Sequence, residues 1–141
     1  MPDSELTAQD QELLDAAMGV RGNAYAPISN YRVGAAIRMK DGGIVVGCNV
    51  EHIILGMTSC AEVVAVQSAV AGGNRDFGDC AVITSSSPPA TPCGNCRQLL
   101  NDWGVERVIC GNVQGEVRVF LLSELLPHSF ELREPLPPDS E

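Results

Sequence analysis

Two short motifs, each at the head of an apolar stretch, constrain this chain more than anything else in it. Cys60-Ala61-Glu62 opens one stretch and Pro92-Cys93-Gly94-Asn95-Cys96 opens another. A Cys-x-x-Cys pair, plus a distant third thiolate with a carboxylate two positions after it, is the donor set of a catalytic zinc. Three protein ligands leave the fourth tetrahedral position for water, and the carboxylate can move that water's protons. A structural zinc takes a fourth protein ligand, and none stands at usable spacing. The sequence therefore predicts one Zn²⁺ per chain on Cys60, Cys93 and Cys96, with Glu62 as the proton-transfer group. Any fold must carry both motif heads to one place.

At 141 residues and 45% hydrophobic, the chain suits one domain with a single core. The expected domain covers residues 1–133, followed by a proline-rich acidic tail, 134–141, predicted to be disordered. The net charge of −9 leaves no basic footprint for phosphate backbones, so nucleic acid is not expected as a partner. A small, uncharged or cationic substrate fits better. No early apolar run is long enough for a signal peptide or membrane span, which predicts a cytoplasmic protein. Without secretory context the six cysteines do not read as disulfides. Cys48, Cys80 and Cys110 lie in or beside apolar β-like runs and are expected as reduced core residues.

Thr7 with Asp10 has the spacing of an N-cap pair, and Leu13, Leu14, Ala17, Met18 and Val20 recur at helical intervals, predicting a helix over 8–21. Residues 33–39 and 44–48 read as a hairpin around Lys40-Asp41-Gly42-Gly43. Further elements follow: a helix over 60–71, a strand over 80–84, a helix over 93–103, strands over 105–110 and 117–122, and a short helix over 123–126. A hairpin followed by strand–helix alternation predicts an α/β fold, a mixed five-stranded sheet sandwiched by helices. In such sheets a site forms where loops run into helix N-termini, and the amides and dipole there stabilise thiolates.

Three thiolates leave the zinc site formally anionic, which opposes acidification of water. Arg97, directly after Cys96, is the candidate for neutralising that charge. Its alternative is a structural salt bridge. His52 and His128 show no ligand spacing to the cysteines, and Trp103 is expected in the core.

With these motifs in order, the chain resembles the cytidine deaminase family in its small, single-domain, tetrameric branch. The resemblance rests on Ala24-Tyr25-Ala26-Pro27, Val33-Gly34-Ala35-Ala36, Gly47-Cys48-Asn49-Val50-Glu51, Cys60-Ala61-Glu62, Pro92-Cys93-Gly94-Asn95-Cys96-Arg97-Gln98 and Glu124-Leu125-Leu126-Pro127. It implies a three-layer α/β/α fold, zinc-dependent hydrolytic deamination of a pyrimidine nucleoside, and a homotetramer. It further implies that Asn49 and Glu51 bind the ribose 3′-hydroxyl and that Ala61 lies on the substrate side. Tyr31 falls where the family usually has a phenylalanine against the pyrimidine, and Phe130 matches an aromatic that reaches a neighbouring subunit's site.

Four positions depart from the pattern. Ile28 replaces a usual tyrosine, His52 an asparagine, Leu55 an aromatic and Val63 an arginine that helps neutralise the thiolates. Val63 and His52 are similar to blasticidin S deaminases, which lack a glutamate corresponding to Glu51. The competing readings are thus a cytidine or deoxycytidine deaminase, a deaminase of a modified nucleoside or antibiotic, and a non-catalytic zinc module. Glu62 and the missing fourth ligand argue against the last.

Overall fold

In the computed structural model residues 6–131 are described, so the expected tail and the 133/134 boundary lie outside them. The elements run α1 (Ala8–Arg21), β1 (Gly34–Met39), β2 (Ile44–Cys48), α2 (Ala61–Ala71), β3 (Phe77–Thr84), α3 (Gly94–Asp102), β4 (Arg107–Asn112), β5 (Val117–Leu121) and α4 (Leu122–Leu125). The five strands form one sheet in the order β2-β1-β3-β4-β5. Only β3 and β4 pair in parallel; the other three pairings are antiparallel. The sheet is mixed, as the alternation of elements implied.

Helices cover both faces. On one side Leu13, Leu14 and Ala17 of α1 pack with Ala36, Ala81, Ile83, Ile109 and Val119. On the other, Ala61, Ala65, Val66 and Ala69 of α2 join Ile37, Val82, Val108, Leu100 and Leu122 in the larger core. Burial of this apolar surface is the main stabilising term. α1 starts in a capping box: Thr7 Oγ1 accepts from the Asp10 amide at 3.1 Å, and the Asp10 carboxylate accepts from the Thr7 amide at 3.0 Å. Its buried face is narrower than the periodicity implied, because Met18 is 39% exposed.

Two strand starts differ from the sequence reading by two or more residues, for identifiable reasons. β3 begins at Phe77, three residues early, because Phe77 is buried and meets Trp103 edge-on with ring centroids 5.4 Å apart. β4 begins at Arg107 because the Val105 amide instead closes the end of α3, donating to Leu100 O at 2.9 Å. Cys80 and Cys110 are buried core thiols as expected, Cys48 is half-buried, and all six cysteines are free.

Candidate active site

Both motif cysteines at the helix heads are N-caps that do not cap. Cys60 precedes α2 and Cys93 precedes α3, each in extended backbone and each without a side-chain capping bond. Their sulfurs are left to face each other across the gap between two helix N-termini. Cys96, in the first turn of α3, completes the group, and the three Sγ atoms all lie within 4.8 Å of one another. The Cys60–Cys93 separation is 3.8 Å. Tetrahedral bonds of about 2.3 Å would set sulfurs about 3.8 Å apart, so the donors fit the ion. Cys96 is buried, Cys60 half-buried and Cys93 exposed, which leaves the open side toward solvent.

α2 reaches this position because of a missing side chain. A Cβ on Gly47 of β2 would strike the Ala61 carbonyl and the Ala65 amide. Only glycine lets the first turn of α2 lie against β2. Without a cation the thiols compete for one negative charge. Cys60 is held down to about 6, chiefly by the Cys96 thiol and further by Cys93, against the opposing effect of burial. Cys96 is pushed up in turn by that interaction and by burial. A cation relieves this competition.

Glu62, 4% exposed, lines the cleft beside the thiols. Burial pushes its carboxyl up to about 7, and the charge on Cys60 adds to the rise; a backbone amide and Cys96 work the other way. The cleft has a volume of about 500 Å³ and runs from Cys60, Glu62 and Cys93 to Asn49, Glu51 and Ser29. Tyr31 and Ala61 also line it.

At the far end the polar side chains are tied to backbone. Asn49 Oδ1 accepts from the Val33 amide at 2.9 Å, and its Nδ2 donates to Tyr31 O at 2.8 Å. Glu51 accepts from the Ile28 and Ser29 amides at 2.9 and 3.0 Å and from the Ser29 hydroxyl. The Ser29 contacts hold the Glu51 carboxyl below its ordinary value. Asn49 and Glu51 therefore shape the 25–33 loop while facing the cleft.

Two predicted residues lie apart from the cleft. Arg97 donates to Pro92 O at 2.8 Å, Leu125 O at 2.7 Å and Thr91 Oγ1 at 2.7 Å. Among the described residues it makes no hydrogen bond to a cysteine sulfur. Phe130, 72% exposed, lies beside α3, where its carbonyl accepts from Gln98 Nε2 at 3.0 Å. Sequence reading missed Ser29, Thr84, Ala90 and Thr91 as lining residues; small side chains in loops and at a strand end carry no spacing signal. His52 and His128 are exposed and away from the thiols.

A three-thiol pocket at two helix heads, with a buried carboxylate facing an open cleft, defines a zinc-dependent hydrolytic site. The chain belongs to the family described as "cytidine and deoxycytidylate deaminase zinc-binding region", whose model matches residues 7–112. It is 40% identical over 122 residues to a cytidine deaminase of Halalkalibacterium halodurans, covering 85% of this chain and 92% of that one. The crystal structure of a cytidine deaminase from Burkholderia pseudomallei superposes with a TM-score of 0.82 at 42% identity, covering 89% of this chain and all of the other. A blasticidin-S deaminase of Bacillus cereus is 31% identical over 130 residues, covering 86% and 92%. The fold is thus the three-layer deaminase fold, and the enzyme is a zinc-dependent hydrolase.

Proposed function

We propose that this chain deaminates cytidine and 2′-deoxycytidine to uridine and 2′-deoxyuridine with release of ammonia. One observation carries the reading: Glu62 is buried at the head of α2 and lines the cleft beside three thiols whose spacing fits a zinc ion. A carboxyl group so placed can take up a proton and hand it on within the cleft. Zinc, held by Cys60, Cys93 and Cys96, supplies Lewis-acid activation of water. Glu62 takes a proton from water and passes it to the ring nitrogen beside the amino-bearing carbon. It then carries water's second proton to the departing amine, so that the C–N bond breaks, oxygen stays on the carbon and ammonia leaves.

Asn49 and Glu51, at the opposite end of the same cleft, receive the ribose 3′-hydroxyl as donor and acceptor. Tyr31 and Ala61 flank the base. Arg97 supports the thiolates by holding the turn into Cys93 through the Pro92 carbonyl.

The same reading extends to assembly and location. Ile53, Ile54, Leu55 and Met57 are 94%, 67%, 69% and 59% exposed, an apolar group in the segment between β2 and α2 of the kind that another subunit covers. Together with exposed Phe130 it supports a homotetramer in which Phe130 enters a neighbour's cleft. We place residues 1–133 in one domain and the enzyme in cytoplasmic pyrimidine salvage. No described helix is long and apolar enough to cross a membrane, and the charge of −9 gives nucleic acid no purchase.

A nucleoside antibiotic is the second reading, favoured by Val63 after Cys-Ala-Glu and by the Bacillus cereus relative. An ultraviolet deamination screen over cytidine, deoxycytidine, 5-substituted cytidines, cytosine and blasticidin S separates them. Stoichiometric ammonia from cytidine is expected. Turnover of blasticidin S with cytidine untouched overturns the first reading in favour of the second.

A further inference from the structure

The cleft has two walls that come from distant parts of the chain. One is the 25–33 loop, carrying Tyr31. The other is the segment from the end of β3 into α3, of which Thr84, Ala90, Thr91 and Pro92 line the cleft. Among the described residues a single side-chain hydrogen bond joins Tyr31 to that second segment: its hydroxyl meets Ser86 Oγ at 2.6 Å, 55 positions away.

Neither end of this bond is loose. The Tyr31 amide donates to Ser29 Oγ at 3.0 Å, and its carbonyl accepts from Asn49. Ser86 has each of its polar groups engaged, since its amide donates to Thr84 Oγ1 at 3.1 Å and its carbonyl accepts from Asn112 Nδ2 at 3.0 Å. Asn112, 1% exposed at the end of β4, is itself saturated. Its Oδ1 accepts from the Gln114 and Glu116 amides, and its Nδ2 also donates to Glu116 Oε1. A buried amide with every bond made is a fixed point, because any displacement leaves polar groups unpaired. The chain of contacts therefore runs from the sheet through Ser86 to the Tyr31 ring.

We infer that the Tyr31 hydroxyl and Ser86, buttressed by Asn112, form a positioning strut that sets the separation of the two cleft walls and so determines how tightly the flat ring of the nucleoside is held. The inference rests on the nucleoside reading for its ligand. It assigns Ser86 a role although Ser86 does not line the cleft. A strut of this kind acts on how tightly the ring is held and removes no group that moves a proton, since that role belongs to Glu62.

Tyr31→Phe removes the hydroxyl and keeps the ring, while Ser86→Ala removes its partner. In the zinc-loaded full chain each should raise KM for cytidine about fivefold, the loss of one net hydrogen bond, with kcat within about twofold. The double variant should be no worse than either single one, because both remove the same bond. Ser86→Thr should restore KM. Hydrogen exchange of the Ser86 amide, which donates to Thr84 Oγ1, should quicken equally in both single variants without substrate. Asn112→Ala risks the fold, so the first two variants decide. Unchanged KM, a loss confined to kcat, or single effects that multiply in the double variant overturns the strut. If the wild type leaves cytidine untouched, the nucleoside reading has failed instead. Exchange then decides alone: quickening in both variants keeps the strut, and unchanged exchange removes it.

Discussion

The two ends of the cleft are built in opposite ways. At the metal end, side chains leave the backbone alone: Cys60 and Cys93 cap nothing, and their sulfurs point at each other from two helix heads. At the loop end, Asn49 and Glu51 are bonded to backbone amides and a carbonyl before any ligand arrives. Helix termini give the first end its precision, since a helix places its N-cap and first turn rigidly. Side chains give the second end its precision by holding a loop that has no ladder of its own. A change at the first end should therefore strike chemistry with the fold intact. A change at the second should mix binding with loop order.

The largest effect expected is at the metal end. Glu62→Gln keeps the shape but not the basic oxygen. Turnover should fall by at least about 10² to 10⁴-fold while about one zinc per chain is retained. Zinc content by elemental analysis and turnover on the same sample test this. Near-normal turnover with zinc bound would show that Glu62 is not the shuttle.

Glu51→Gln should come next, with kcat/KM lowered about 10 to 100-fold, because hydrogen bonds to a charged group are worth about 1.5–3 kcal/mol. The comparison gains if the loss falls mainly on KM and the amides of Ile28 and Ser29 exchange faster. It breaks if kcat alone drops and the loop stays protected.

Arg97 lies between the two designs. It follows Cys96 directly in the chain, yet it is held as the loop end is, bonding the carbonyls of Pro92 and Leu125. Arg97→Gln should weaken zinc binding about tenfold, in the lower part of the range for groups that orient ligands. Competition with a chromophoric chelator measures this. If zinc affinity is unchanged, the helix N-termini suffice and Arg97 is structural only.

How much was legible follows the same division. The metal site reads directly, since chemistry demands particular residues at particular helix positions, and Cys60, Glu62, Cys93 and Cys96 stand there. The mixed five-stranded sheet and its helices on both faces follow from hairpin, helix and strand patterning, whereas the order of the strands does not. Ser29, Ser86 and Asn112 do not read, because their partners are backbone atoms or residues far away in the chain. Asp10 shows both cases in one residue. Its capping of α1 is visible from the three-residue spacing to Thr7, while its pairing with Arg107, 97 positions on, is not.

That pairing gives the smallest expected effect on activity and a control for the comparison, since Asp10 touches neither end of the cleft. Arg107 meets the Asp10 carboxylate with two hydrogen bonds of 2.8 Å and also reaches Asp79 at 3.0 Å, joining α1 to β3 and β4. Asp10 is 6% exposed, and the Arg107 contact is the main reason its carboxyl is lowered from 3.8 to about 2. A carboxyl lowered on folding stabilises the protein above its unfolded value and loses that contribution as pH falls through the folded one. The shift corresponds to about 2 kcal/mol, present in full above about pH 5 and gone near pH 1 to 2. Asp10→Asn should therefore lower the stability of the zinc-loaded protein by about 2 kcal/mol at pH 7, read by urea unfolding. The gap between wild type and variant should narrow steadily as the pH is taken from 5 toward 2. At pH 7 and 25 °C kcat and KM should match the wild type. A variant with normal stability but impaired KM would mean that the α1 face, and not only the two ends, sets the geometry of the cleft.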